Sequence, residues 1–129
     1  MSRQVRPARR STCPESGQAT VEFALVLPLA FVLVLAVLQT ALVVRDYVAT
    51  VHAAREAVRA ASVDPDPSSA VHAAHETLPH AEVDVSPRPS VGEPITVEVR
   101  YRAVTDVPLV GVLFPDPVLR SRAVMRVER

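Results

Sequence analysis

From Phe23 to Val44 the chain runs for 22 residues without a formal charge, and nineteen of them are apolar; Pro28, Gln39 and Thr40 are the exceptions. At about 1.5 Å per residue this stretch is roughly 33 Å long as a helix, against a bilayer hydrocarbon core of about 30 Å. The pattern predicts a transmembrane helix over 18–44. A buried helix of a soluble protein is the rival reading, but the residues that follow are too few to surround such a helix on every side. A secretory signal has an apolar region of about 7–15 residues and a small-x-small cleavage site. This run is longer and continues into helical periodicity. Pro28 cannot donate to the Ala24 carbonyl and predicts a kink there.

Past Val44 the pattern turns amphipathic. Val44, Tyr47, Val51, Ala54, Val58 and Ala61 recur at spacings of three and four, which is one helical stripe. Arg45, Asp46, His52, Arg55, Glu56, Arg59 and Ser62 fall on the other faces. The spacing predicts a helical extension over 45–63 with a packing face of mostly small residues. Asp64-Pro65-Asp66-Pro67 ends it. A small α+β domain is predicted over 64–129. It starts with a short helix capped by Ser68 or Ser69 and stopped by Pro79. Val83 and Val85 alternate with acids as a short strand. Ile95, Val97, Val99 and Tyr101 alternate with Thr96, Glu98, Arg100 and Arg102 as the clearest strand of the chain. After a proline-punctuated loop enclosing the apolar stretch Leu109–Phe114, a last strand runs from Val118 to Glu128, with Leu119, Ser121, Ala123, Met125 and Val127 on one face. Antiparallel strands packed on the helical extension give an α+β fold: a long N-terminal transmembrane helix extending into a small antiparallel-sheet domain.

Charge changes the picture in one respect. The formal total is zero, from fourteen Arg, no Lys and fourteen acids. Residues 1–17 nevertheless hold four Arg and one acid, a net charge of +3, so the remainder carries −3. Basic residues just before a span and no comparable cluster after it place the N-terminus in the cytoplasm and the C-terminal domain outside. The neutral total argues against a nucleic-acid binder. The one cysteine, Cys13, excludes an internal disulfide framework and a cysteine-rich zinc site. His72 and His75 share a helix face near His80, yet no set of about four ligands in firm geometry accompanies them, and a solvated face explains them better. No nucleophile–base constellation, cofactor motif or small-molecule site emerges from the spacing, so the chain reads as a non-enzyme without cofactor or metal.

The boundary of the span carries the informative motif. Ser16-Gly17-Gln18-Ala19-Thr20-Val21-Glu22-Phe23 sets a glycine after the basic leader and an acid five residues beyond that glycine, ahead of the apolar helix. This resembles the class III signal of type IV pilins and pseudopilins. Gly17–Pro28 resembles more closely the start of TadE-like proteins of the Tad (tight adherence) pilus system, and Ala53-Ala54-Arg55-Glu56-Ala57-Val58-Arg59-Ala60-Ala61 is similar to that family's second signature. It departs at Val58, where the family commonly has a small residue, often glycine. The resemblance implies a pilin-like fold and a minor pilin or pseudopilin of the bacterial inner membrane, taking part in assembly of a Tad/Flp-type pilus or a related secretion apparatus. It implies cleavage between Gly17 and Gln18 by a prepilin peptidase, which removes the 1–17 leader and Cys13 with it. It further implies that Glu22 pairs with the new amine of Gln18 on a neighbouring subunit. The implied partners are the membrane, the peptidase, other pilin-like subunits and Tad inner-membrane assembly proteins. The alternative is an unprocessed single-pass accessory protein whose outer domain docks to a secretion or cell-surface partner.

Overall fold

The computed structural model describes residues 15–104 and 116–128, and side chains from residue 17 onward. The 1–14 part of the leader, with Cys13, and the Leu109–Phe114 stretch lie outside the described residues. The element order is α1 (Glu15–Val63), α2 (Pro67–Thr77), β1 (Glu82–Val85), β2 (Pro94–Arg102) and β3 (Val118–Arg126). A long apolar helix followed by a small three-stranded antiparallel sheet is the α+β architecture expected from the pattern. The chain divides into two compact units, residues 1–34 and 35–129.

In the first unit every described side chain of α1 is exposed, including Phe23, Leu25, Leu29, Phe31 and Leu33. The helix continues through Pro28.

The second unit is built on β2. Its Ile95, Val97 and Val99 are essentially free of solvent contact, while the alternate positions Thr96, Glu98 and Arg100 are half-buried. That is the two-residue period of a strand with one face on a core. β2 is central: it pairs antiparallel with β1 through Val83↔Val99 and Val85↔Val97, and with β3 through Val97↔Ala123 and Val99↔Ser121. The core joins these side chains to Ala53, Ala54, Ala57, Val58 and Ala61 of α1, Ala70 and Ala74 of α2, and Leu78, Ala81 and Val127. Alanine methyl groups on the helices face branched side chains of the sheet, so a chain without Trp still assembles one buried cluster from these two kinds of group.

Two local expectations are corrected. The N-cap of α2 is Asp66, not Ser68 or Ser69: its carboxylate accepts from Ser68 N at 2.9 Å, and Pro67 occupies the first turn. Pro at the first helical position costs no hydrogen bond, which makes Asp-Pro a natural start. Asp64 accepts from Asp66 N and from the Ser69 hydroxyl, so Ser69 donates to the cap region and does not form the cap. Ser62, expected on an outer face, is fully buried and donates to the Arg59 carbonyl at 2.8 Å.

The end of α1 is closed by a residue that sequence reasoning missed. No basic residue lies in its last turn. Instead Arg88, from the β1–β2 loop, donates through Nη1 to the carbonyls of Ala61 (2.6 Å) and Asp64 (2.8 Å) and through Nη2 to Ser62 (3.4 Å). A guanidinium there satisfies carbonyls that a helix end leaves open and complements the negative pole of the helix dipole. Glu128 N donates to the Ser62 carbonyl at 2.9 Å and ties the chain beyond β3 to the same helix end.

Candidate assembly site

The start of the helix carries the residues singled out for processing and pairing. Gly17 lies in the first turns of α1 and not in an extended segment. A Cβ added there would meet nothing within 4 Å. Glycine is worth about 1 kcal/mol less than alanine in a helix interior, and among the described residues no close approach calls for it. Gln18 and Glu22 are brought together within one chain: Gln18 Nε2 donates to Glu22 Oε1 at 3.2 Å, one helical turn apart. Both are exposed.

Farther along, the packing stripe divides. Val44 and Tyr47 remain about half exposed, Val51 is half-buried, and Ala54, Val58 and Ala61 enter the core. The buried face is in fact Thr50, Ala53, Ala54, Ala57, Val58, Ala61 and Ser62, turned from the expected stripe toward its smallest residues. Pro28 is exposed. Two polar groups inside the apolar run are handled differently. Thr40 donates back to the Ala36 carbonyl at 2.9 Å, the usual way a hydroxyl is accommodated in an apolar helix. Gln39 is buried, and among the described residues its Oε1 accepts no hydrogen bond.

The histidines do not converge. His75 Nε2 lies 2.9 Å from the Ala81 carbonyl, His72 and His80 are exposed, and no group of three metal-type side chains forms among the described residues. On the solvent face of the sheet, Arg100 Nε donates to Glu98 at 2.7 Å. This bond, with the nearby guanidinium charges of Arg100, Arg120 and Arg122, holds the Glu98 carboxyl below the usual carboxylate range. Arg100 is raised in turn, first by its bond to Glu98, with Asp84 and Glu82 adding to it. The Asp64 and Asp66 carboxyls are lowered by the bonds they accept, from Ser69 and Asp66 N in the first case and from Ser68 in the second.

These features define a class: a protein with, among the described residues, one N-terminal helix long and apolar enough to cross a membrane, its most apolar stretch unburied, and a small α+β unit. The TadE-like protein family model matches residues 17–59, which is about a third of the chain. The match starts at Gly17 and runs through the span into the amphipathic extension, so the resemblance read from the motifs holds over that segment. Comparison with curated proteins and with solved structures yields no match.

Proposed function

We propose that the chain is a pilin-related assembly protein of a Tad/Flp-type pilus or a kindred secretion apparatus, and not an enzyme. The observation that carries this reading is the TadE-like match over residues 17–59, coincident with an apolar helix that is left wholly exposed in its first unit. Large apolar side chains left exposed among the described residues call for lipid or other helices. In this reading the helix sits in the bacterial inner membrane with the Arg-rich leader in the cytoplasm and the α+β unit outside.

A prepilin peptidase cuts between Gly17 and Gln18. The glycine, for which the fold itself has no packing use, serves the peptidase cleft, where a side chain would obstruct. Glu22, bonded to the Gln18 side chain in the single chain, then pairs with the amine of Gln18 on a neighbouring subunit, because a carboxylate at the edge of a lipid-embedded helix is stable only when solvated or paired. The exposed Tyr47 belongs to the surface offered to pilin-like partners and Tad inner-membrane proteins.

One observation favours a second reading. The Gly17–Gln18 bond lies within α1, so cleavage requires the first turn to unwind; an accessory protein that keeps its leader needs no such step.

Mass spectrometry of the membrane-extracted protein, from cells with an active prepilin peptidase, separates the two. Loss of residues 1–17, abolished by Gly17→Val, is the expected result. An intact N-terminus rejects processing and leaves the accessory reading. In trimmed chains, Glu22→Gln is expected to lower recovery with pilin-like partners while leaving trimming intact; recovery equal to wild type would reject the pairing.

A further inference from the structure

The solvent face of the sheet is electrically polarised from one edge to the other. Register places Glu82, Arg100 and Arg120 in one row across the three strands, and Asp84, Glu98 and Arg122 in the next. In the centre, Arg100 and Glu98 neutralise each other. The β1 edge is therefore left with two acids and the β3 edge with two arginines, all four exposed.

The hydrogen-bond phase shows which backbone groups these edges present. Ala103 N donates to Pro117 O and Val127 N to Glu93 O, each at 3.0 Å. These bonds flank the β2–β3 ladder, so odd positions of the two strands bond to each other. Alternation then turns the N–H and C=O groups of Arg120, Arg122 and Val124 toward the free edge. On the other side Ser86 N donates to Thr96 O at 2.9 Å, which by the same alternation turns Val83 and Val85 outward on β1. Beside the β3 edge lies an open groove of about 480 Å³, walled by α1 at Val51, Arg55 and Val58 and by Ala123 and Met125 of β3.

The geometry points to head-to-tail addition of a second copy of this chain, the β1 edge of one molecule pairing with the β3 edge of the next. Symmetric pairing is disfavoured at both edges: β3 on β3 sets arginines beside arginines, and β1 on β1 sets acids beside acids, and like charges on neighbouring strands repel. Only the unlike edges bring Glu82 and Asp84 beside Arg120 and Arg122. β1 and β3 both run antiparallel to β2 and so run parallel to each other. A copy joined in the same sense has its strands running in the same direction as those of the first, turned by the ordinary twist of the sheet. Such a contact is heterologous and leaves one edge of each kind available on the dimer, so further copies can add. It also covers two strand edges that no other strand pairs among the described residues. The inference stands apart from the assembly reading above, since it needs no peptidase and no other pilus protein.

The test uses the full-length chain in membranes, with Cys13→Ser so that introduced thiols are the only ones. Chains carrying Asp84→Cys are mixed with chains carrying Arg120→Cys or Arg122→Cys and treated with a short bis-maleimide. Dimers are expected in the mixtures and not from either partner alone. Dimers from one variant alone, or none in the mixtures, would overturn the proposal. Charge reversal gives an independent measurement by sedimentation of detergent-solubilised protein. Arg120→Glu sets an acid beside Arg100, and Asp84→Arg sets a cation beside Glu98, so neither strains its own sheet. Each alone should weaken self-association on the order of tenfold, and an equal mixture of the two should recover dimers. Unchanged association in both single variants would also overturn it.

Discussion

Along α1, Leu25 stands 72% exposed and Phe23 66%, while Ala53, Ala54 and Ala57 are at 0%. The two ends of one helix thus reverse the usual relation between side-chain size and burial. Among the described residues the large apolar groups are left exposed, and the small ones fill the core. In the second unit the bulk is supplied by β2, whose Ile95, Val97 and Val99 leave room for nothing larger than a methyl group on much of the facing helix. Apolar character by itself therefore does not say where a core lies: Leu, Val and Phe over 21–34 stay exposed, while Ala53, Ala54, Ala57 and Ala61 are buried in the cluster with the sheet.

The contrast breaks most sharply by truncation at one site in each region. Ile95→Ala is expected to cost the C-terminal unit about 2–5 kcal/mol, read as faster amide exchange across β2 in the solubilised full chain. Leu25→Ala removes a similar side chain and should leave that exchange unchanged. Equal effects would mean that the two regions share one core. Enlargement sharpens the same comparison. Ala57→Leu should cost about 1–3 kcal/mol by overpacking the helix–sheet contact, whereas Ala30→Leu, on the exposed stretch, should leave the unfolding midpoint of the C-terminal unit where it is.

The smallest expected effect is electrostatic and confined to the second unit. Asp64, Asp66 and Glu98 have folded-state pKa values below their ordinary ones. Their contribution to stability is complete above the ordinary carboxyl pKa of about 4 and is lost as pH falls through the depressed values. The thermal midpoint of the unit should therefore drop below about pH 4. Asp66→Asn retains a good cap without the charge and should flatten that acid limb. A limb identical to wild type would remove Asp66 from the account.

Much of this architecture was legible residue by residue. β2 announced itself by strict alternation, and the end of α1 by Asp64-Pro65-Asp66-Pro67. The candidate span needed only a count of uncharged positions. The start of the TadE-like segment was legible too, because Gly17 and Glu22 are read from neighbours a few residues away. What escaped was decided at a distance. Arg88 reaches carbonyls 24 and 27 residues earlier in the chain, and nothing in Pro87-Arg88-Pro89 announces a helix cap. The buried face of α1 was read slightly out of phase because alanine and serine fit equally well on a solvent face or against a sheet. Val44 and Tyr47, which set the expected stripe, stay largely outside the core.

The sequence by itself determined the elements of this protein and the length of its apolar helix, since both follow from periodicity and from the local chemistry of Pro, Asp and Gly. Tertiary structure alone decided which small residues became core, which arginine closed the helix, and how charge was distributed over the sheet. Strand order put acids at one edge and arginines at the other, and order depends on which strands meet in space. A chain of zero formal charge thereby acquired two unlike edges.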